Sequence, residues 1–475
     1  MAGEKEASRR GLDLEWQVTV SGAAGSSVKT EAQSPLAVLW VCNLVSGLRL
    51  KAWSLGRRVW QIGADDPRKV IHGMKVGLAL VLTSVFYYTR PLYDGVGGTA
   101  MWAVMTVVVV FEYTVGGTLY KGLNRATATV SAGSLAFGIH WLAIKSGKTA
   151  DHIILGTSIF ILSSAATFFR FIPTLKARFD YGLMIFILTF NLVAVSGYRV
   201  DQLLALAQWR FCTITLGFCI CLTVCTVVRP VWAGEELHCL TTRNMEKLAE
   251  SLQESVAEYL KEEQEEEEEE DSEECKHNCS SQKLQGFKCV LNSKASEDSL
   301  ANLARWEPPH GCFSYGHPWR QYLKIGAAMR HCAYCIESLT NCCISSENLE
   351  LPDSVRSHLA DAYLKLSSDS AKVLKELAGS FKSMRKPSSV DYLVKDMKNT
   401  ADELQTALSS VPQEATVLIM ETLPLITVAS LLIEISKRVE GVAVATKGVT
   451  GLSCFRPSDG DDELKVLNKV VPAMA

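Results

Sequence analysis

Acidic residues are nearly missing from the middle of this 475-residue chain. Residues 70–230 hold five Asp and Glu against twelve Lys and Arg. A pathway lined by rings of carboxylates, as cation channels use, is therefore excluded there. Cysteine is absent between Cys42 and Cys212, and the total of fifteen is odd. That placement argues against a disulfide framework. No Walker A loop, GxGxxG fingerprint, GxSxG elbow or HExxH occurs, so no enzyme class and no cofactor is supported. A net charge of −3 argues against a dedicated nucleic-acid binder. The N-terminal MAGEKEASRR has no apolar core and does not read as a signal peptide. In residues 231–475 almost no segment alternates with period two, which leaves little room for strands there.

What is present divides into three parts. Residues 1–69 are mildly basic, with a net charge of +3, and read as a cytoplasmic, partly disordered N-terminal segment. Residues 70–230 carry +7 and are strongly apolar. Residues 231–475 carry −13 and are polar. The fold class expected is an all-α membrane protein: six transmembrane helices followed by a cytoplasmic helical domain.

A spanning helix needs about 20 mostly apolar residues. Six runs qualify, at roughly 70–88, 99–119, 122–144, 152–169, 181–198 and 205–228. Short polar breaks such as YKGLNR (120–125) stand between them, so successive spans are expected to run antiparallel. Lys51, Arg57, Arg58, Arg68, Lys69, Lys121, Arg125, Arg170, Lys176 and Arg178 fall on one side of these runs, and only Arg90, Lys145, Lys148 and Arg199 on the other. This bias places both termini in the cytoplasm. A soluble core of unusually apolar helices is the alternative, and six runs in succession argue against it.

Ionisable groups inside spans are costly and usually face protein or water. Lys75 and Glu112 lie at similar depths and could simply pair. Arg210 could snorkel outward. Alternatively, Lys121, Arg125 and Arg210 could line a basic, water-filled path for anions.

The polar part is expected to be helical over 235–263, 352–384, 389–410 and 412–446, with a further helix through HPWRQYLKIGAAMRHCAYCIESLTNCC (317–343). An acidic, disordered loop is expected at about 262–282, and a flexible tail after about 450. The apolar stretch 415–435 could be a seventh span, but Glu421, Pro424 and Glu434 interrupt it and favour a bundle helix. His331, Cys332, Cys335, Cys342 and Cys343 suggest a metal only weakly, because the CxxC sits within a helical pattern.

Several stretches together resemble the plant aluminium-activated malate transporter family: DPRKVIHGMKVGLALVLTSVFYY (66–88), AMWAVMTVVVVFEYTVGGTLYKGLNRATAT (100–129), FDYGLMIFILTFNLVAVSGYR (179–199), PVWAGEELH (230–238) and ARWEPPHG (304–311). The resemblance implies a homodimeric anion channel in the membrane lipid. Both subunits would line one pore that conducts malate and other small anions. It assigns basic pore positions to Lys121, Arg125 and Arg210; Lys75, a charge within the first run, is a further anion-binding candidate from the residues themselves. It assigns the WEP element to Trp306, Glu307 and Pro308, a region tied to transport competence, and Glu112 joins them as a gating or charge-pairing candidate. It implies outer acidic residues at Asp94 and Asp201 as an aluminium site. Ala205 stands where another carboxylate would be expected, which argues against aluminium activation. The plasma membrane is favoured over the vacuolar membrane. The rival reading is a proton-coupled dicarboxylate carrier working through Glu112.

Overall fold

The computed structural model describes residues 35–89, 101–196, 200–260, 285–314, 316–346, 353–386, 389–409, 418–452 and 455–456. The expected acidic loop, most of the expected tail and Asp94 lie outside these residues. Asp201 falls within a helix, but its side chain is also outside them. The chain divides into two compact units, Met1–Val70 and Ile71–Ala475.

The first unit contains α1 (Pro35–Asp65), a 31-residue helix that the sequence reading did not mark. Its described part exposes Leu50, Trp53, Trp60 and Ile62 among Lys51, Arg57 and Arg58. Helix α2 (Pro67–Tyr88) begins four residues before the second unit and continues into it.

Beyond Ile71 the described residues are helical, apart from turns and two isolated bridges. Helices α3 (Met101–Val110), α4 (Val115–Lys145), α5 (Lys148–Phe169), α6 (Pro173–Ser196) and α7 (Val200–Val227) follow α2. Four of these are long and apolar enough to cross a membrane: Val115–Lys145, Ala150–Phe169, Pro173–Val195 and Gln208–Val227. Their outward faces are apolar. Leu135, Trp141, Ile153, Phe160, Ile161 and Phe168 are all exposed. A water-soluble bundle would bury side chains of this size, whereas a lipid-facing surface requires them outside.

Small residues bring these helices together, as expected where lipid tails compete equally for apolar contacts. A Cβ on Gly217 of α7 would lie 2.8 Å from the Ala103 carbonyl oxygen of α3. A Cβ on Gly122 of α4 would strike the Phe218 ring of α7. Side-chain amides add ties across helices. Asn191 Nδ2 of α6 donates to Ser163 Oγ of α5 at 3.0 Å, and Asn124 Nδ2 of α4 donates to the Arg178 carbonyl of α6 at 3.2 Å.

Two boundaries differ from the sequence reading. The run 99–119 is not one helix, because α3 ends at Val110 and α4 begins at Val115. The polar stretch 120–125 is not a loop, because α4 passes straight through it. The cause is local. Thr114 adopts an extended conformation (φ −104°, ψ 152°) and its hydroxyl accepts from Gly117 N at 3.1 Å, so it acts as an N-cap. The cap starts a new helix inside an apolar run that only Glu112 interrupts, so the break is hard to see from hydropathy.

The remaining helices are α8 (Ala233–Leu260), α9 (Gly286–Leu291), α10 (Lys294–Ala304), α11 (Trp319–Ser346), α12 (Asp353–Ser383), α13 (Val390–Ser409) and α14 (Leu418–Thr450). They share a second core. Along α8, Leu237, Met245, Leu248, Leu252 and Val256 are fully buried at helical spacing, each contributing roughly 1.5–3 kcal/mol of gross burial. Helix α14 places Leu425, Val428, Ala429, Leu432, Ile435 and Val439 in the same core, packed against α11, α12 and α13. The stretch read as a possible seventh span is therefore a bundle helix. Cys332 lies wholly in this core, where burial pushes its thiol up to about 12. It behaves as a small apolar side chain.

Candidate functional site

Two sets of residues stand out: buried cations among the apolar helices, and a polar junction between these helices and the C-terminal bundle.

Arg210 lies near the start of the apolar segment Gln208–Val227 and is only 5% exposed. It does not snorkel outward. Its guanidinium stacks over the Trp102 ring of α3, 3.6 Å from the centroid. No described carboxylate pairs with it, and it lies within electrostatic range of Arg125. Arg125 is also buried. Its Nη1 donates to the Tyr181 hydroxyl at 3.3 Å, while its Nε has no partner. Lys121 sits one turn earlier on α4, 5.8 Å from the Tyr181 ring centroid, and forms an ion pair with Glu112. Trp102 and Tyr181 complete this basic set. Nothing distinguishes them in sequence from other aromatics in apolar helices.

The pairing of Lys75 with Glu112 that their similar depths allow does not form. The break at 111–114 turns Glu112 to Lys121 instead. Lys75 Nζ donates to the Arg229 carbonyl at 2.7 Å. Arg229 has φ 44°, a left-handed conformation that costs a non-glycine residue about 1–2 kcal/mol. The buried ammonium of Lys75 anchors that strained turn, which connects α7 to α8.

The junction is built around Glu307, whose side chain is 1% exposed. Its Oε1 accepts from Gly116 N at 3.1 Å and from Ala233 N at 2.6 Å. Its Oε2 accepts from Gly234 N at 3.0 Å. One carboxylate thus caps the N-termini of α4 and α8 together. Helix N-termini leave amides without intrahelical partners and carry partial positive charge, so a carboxylate suits both. The start of α4 is fully satisfied: Val115 N bonds the Val231 carbonyl at 3.0 Å, Gly116 N bonds Glu307, and Gly117 N bonds Thr114. Burial pushes the Glu307 carboxyl's pKa up, against the pull of the amides, which favour its charged form.

The neighbours of Glu307 hold this geometry. Trp306 meets the Tyr120 ring of α4 edge-on at 5.7 Å, and Trp232 stacks flat on His310 at 4.0 Å. The Pro308 carbonyl lies 2.9 Å from His310 Nδ1. Gly116 and Gly234 permit the close approach. A Cβ on Gly116 would lie 2.5 Å from the Leu303 carbonyl oxygen and 2.9 Å from Glu307 Cγ, and one on Gly234 would lie 2.5 Å from the Trp319 ring. Gly116→Ala is expected to cost about 1–3 kcal/mol through overpacking, read as a lowered melting temperature of the detergent-purified protein. An unchanged melting temperature would show that the junction is loose.

Behind the junction, the Tyr322 hydroxyl lies 3.0 Å from His238 Nδ1 and 3.2 Å from His317 Nε2. The Phe381 carbonyl accepts from His238 Nε2 at 2.9 Å, which leaves Nδ1 to accept from Tyr322. Burial lowers the pKa of both imidazoles, that of His317 to about 4. The unfolded chain therefore takes up protons that the folded cluster refuses. The histidine contribution is full above the ordinary value of 6.5 and declines as pH falls toward about 4. The melting temperature is expected to fall between pH 7 and pH 5, and to fall less in a His317→Gln variant. Equal falls in both would remove His317 from the account.

The described residues contain no group of three or more His, Cys, Asp or Glu that could hold a metal. Fold and site together define an all-helical membrane protein whose buried charges among the apolar helices are mainly cationic. Residues 60–416 match the family model described as aluminium activated malate transporter. Among curated relatives, aluminum-activated malate transporter 10 of Arabidopsis thaliana is 46% identical over 95% of this chain and 97% of its own length. Aluminum-activated malate transporter 1 of Triticum aestivum is 41% identical over 88% and 90%, and aluminum-activated malate transporter 2 of Arabidopsis thaliana 44% identical over 84% and 78%. The chain belongs to the aluminium-activated malate transporter family, whose members are named as transporters and are not enzymes.

Proposed function

We propose that this protein is a passive channel for malate and other small anions, working as a homodimer with one pore at the dimer axis. The observation that carries this reading is Arg210, a buried guanidinium with no described carboxylate partner, set near the equally buried Arg125. Retaining two such cations in apolar surroundings costs stability, and an anion path recovers that cost by using them to replace lost hydration. The names of the relatives support malate as cargo. The six apolar runs that contain α2 to α7 are read as six crossings, four of them supported by helices long and apolar enough by themselves, with both termini cytoplasmic. Residues 231–475 form the cytoplasmic domain, and the plasma membrane is the favoured site. Glu307 couples that domain to the start of α4, the helix that carries Lys121 and Arg125.

The rival reading, a proton-coupled carrier, requires Glu112 to take up and release protons. Glu112 is engaged in an ion pair with Lys121, so that role would require the pair to break and re-form in each cycle. Glu112→Gln is expected to leave transport independent of the pH gradient. Malate flux that follows the gradient in the parent and loses that dependence in the variant would establish the carrier.

Voltage clamp of malate-loaded oocytes tests the channel directly. A current whose reversal potential follows the anion gradients is expected. Confirmed surface expression without current, together with saturable labelled-malate flux in vesicles, would overturn the channel in favour of the carrier. Added external aluminium is expected to have no effect, following Ala205.

A further inference from the structure

Beside the Glu307 junction, but outside the basic set around Arg210, is a cavity of about 360 Å³. Arg305, Arg320, His310 and His317 line it, with Phe313 and Trp319 as apolar walls. This volume lies within the range of small-molecule sites.

Three features give the cavity a charge preference. Arg305 and Arg320 have no described carboxylate partner, and Glu307, the acid on the same wall, is committed to three amides. Arg178, near the start of α6, lies close enough to add its charge: burial, then Arg178 and Arg320, hold the Arg305 pKa below its ordinary value. Helix α11 also begins at the cavity wall, and its first turn contains Arg320 and no acidic residue, so its positive end is uncompensated. Asn302 Nδ2 donates to the Ala177 carbonyl at 3.0 Å, holding the end of α10 against α6 beside this group.

A fourth feature gives a hydrogen-bond preference. His317 is only 6% exposed, and its Nδ1 has no partner. The Nε2 of His310 has no hydrogen-bond partner either. A neutral imidazole nitrogen of this kind accepts a hydrogen bond from a hydroxyl.

We propose that this cavity binds a hydroxylated organic anion, whose carboxylate or phosphate takes the guanidinium groups and whose hydroxyl donates to His317. Arg305 and Arg320 line the cavity from the C-terminal bundle and Arg178 of α6 adds its charge beside them, so a bound anion offsets the repulsion between the two parts where Glu307 already joins them. It is a regulatory ligand of the junction, and the inference does not depend on the channel reading.

Equilibrium binding to the detergent-purified full chain tests this, with malate, succinate and glycerol 3-phosphate as probes. Saturable binding of malate or glycerol 3-phosphate is expected, and whichever binds tighter identifies the anionic group. Arg305→Gln with Arg320→Gln should weaken it by about tenfold or more. Ser314→Trp, which fills the cavity and leaves both charges, should do the same. Arg210→Gln should retain it. Succinate, which lacks the hydroxyl of malate, should bind at least about tenfold more weakly than malate. Absence of saturable binding by every probe overturns the proposal. So does binding unchanged in both cavity variants, or binding lost only in Arg210→Gln. Equal affinity for malate and succinate overturns the hydroxyl contact to His317.

Discussion

Arg210→Gln is expected to lower anion conductance by about tenfold or more at unchanged surface expression, a loss of at least about 1.4 kcal/mol. A unit charge 4 Å from an anion is worth about 4 kcal/mol at an effective dielectric near 20, so a tenfold loss requires only part of one such contact. The geometry explains why glutamine cannot substitute. The guanidinium carbon lies 3.6 Å from the Trp102 ring centroid, and a neutral amide roughly keeps the volume but loses the field. Arg210→Lys separates charge from shape. It should retain more current than the glutamine variant, because the ammonium keeps the charge but stacks less well. Whole-cell current against surface protein measures both. Unchanged conductance and selectivity in Arg210→Gln would remove it from the pore and reduce its role to packing on α3.

The second large effect is expected at Glu307. Glu307→Ala leaves the amides of Gly116, Ala233 and Gly234 without their acceptor in a buried site. Hydrogen bonds to a charged group are worth about 1.5–3 kcal/mol each, and unsatisfied buried donors add their own cost. A loss of several kcal/mol is expected, enough to lower the melting temperature strongly and to uncouple the bundle from α4. Glu307→Gln retains one carbonyl acceptor and should fall between the parent and alanine. Thermal unfolding and limited proteolysis of the purified variants check the order. A glutamine variant as stable as the parent would show that the negative charge is dispensable. An alanine variant as stable as the parent would show that water replaces the carboxylate.

Much of the fold was legible because helices announce their length and their apolar face. Helix α12 was expected at 352–384 and occurs at Asp353–Ser383, and α13 was expected at 389–410 and occurs at Val390–Ser409. The site was legible only as residue types. Lys121, Arg125 and Arg210 stand out because a charge in an apolar run is rare. Their partners Trp102 and Tyr181 do not, because an aromatic in an apolar run is ordinary. The cap at Thr114 left a faint signal, a Thr followed by Gly116-Gly117, which the apolar pattern overrode.

The sequence by itself determined the helical class, the apolar and acidic halves, the surplus of positive charge among the apolar helices and the resemblance to the family. The resemblance rests on its motifs and the rest on composition and periodicity, all of which are properties of a neighbourhood along the chain. Tertiary structure alone decided that Glu112 meets Lys121, that Lys75 anchors the Arg229 turn and that Glu307 caps two helices. Glu307 stands 191 residues from Gly116 and 74 from Ala233. Which amides lack a partner at a helix start, and which buried acid reaches them, depends on how the helices pack, and no pattern along the chain records that distance.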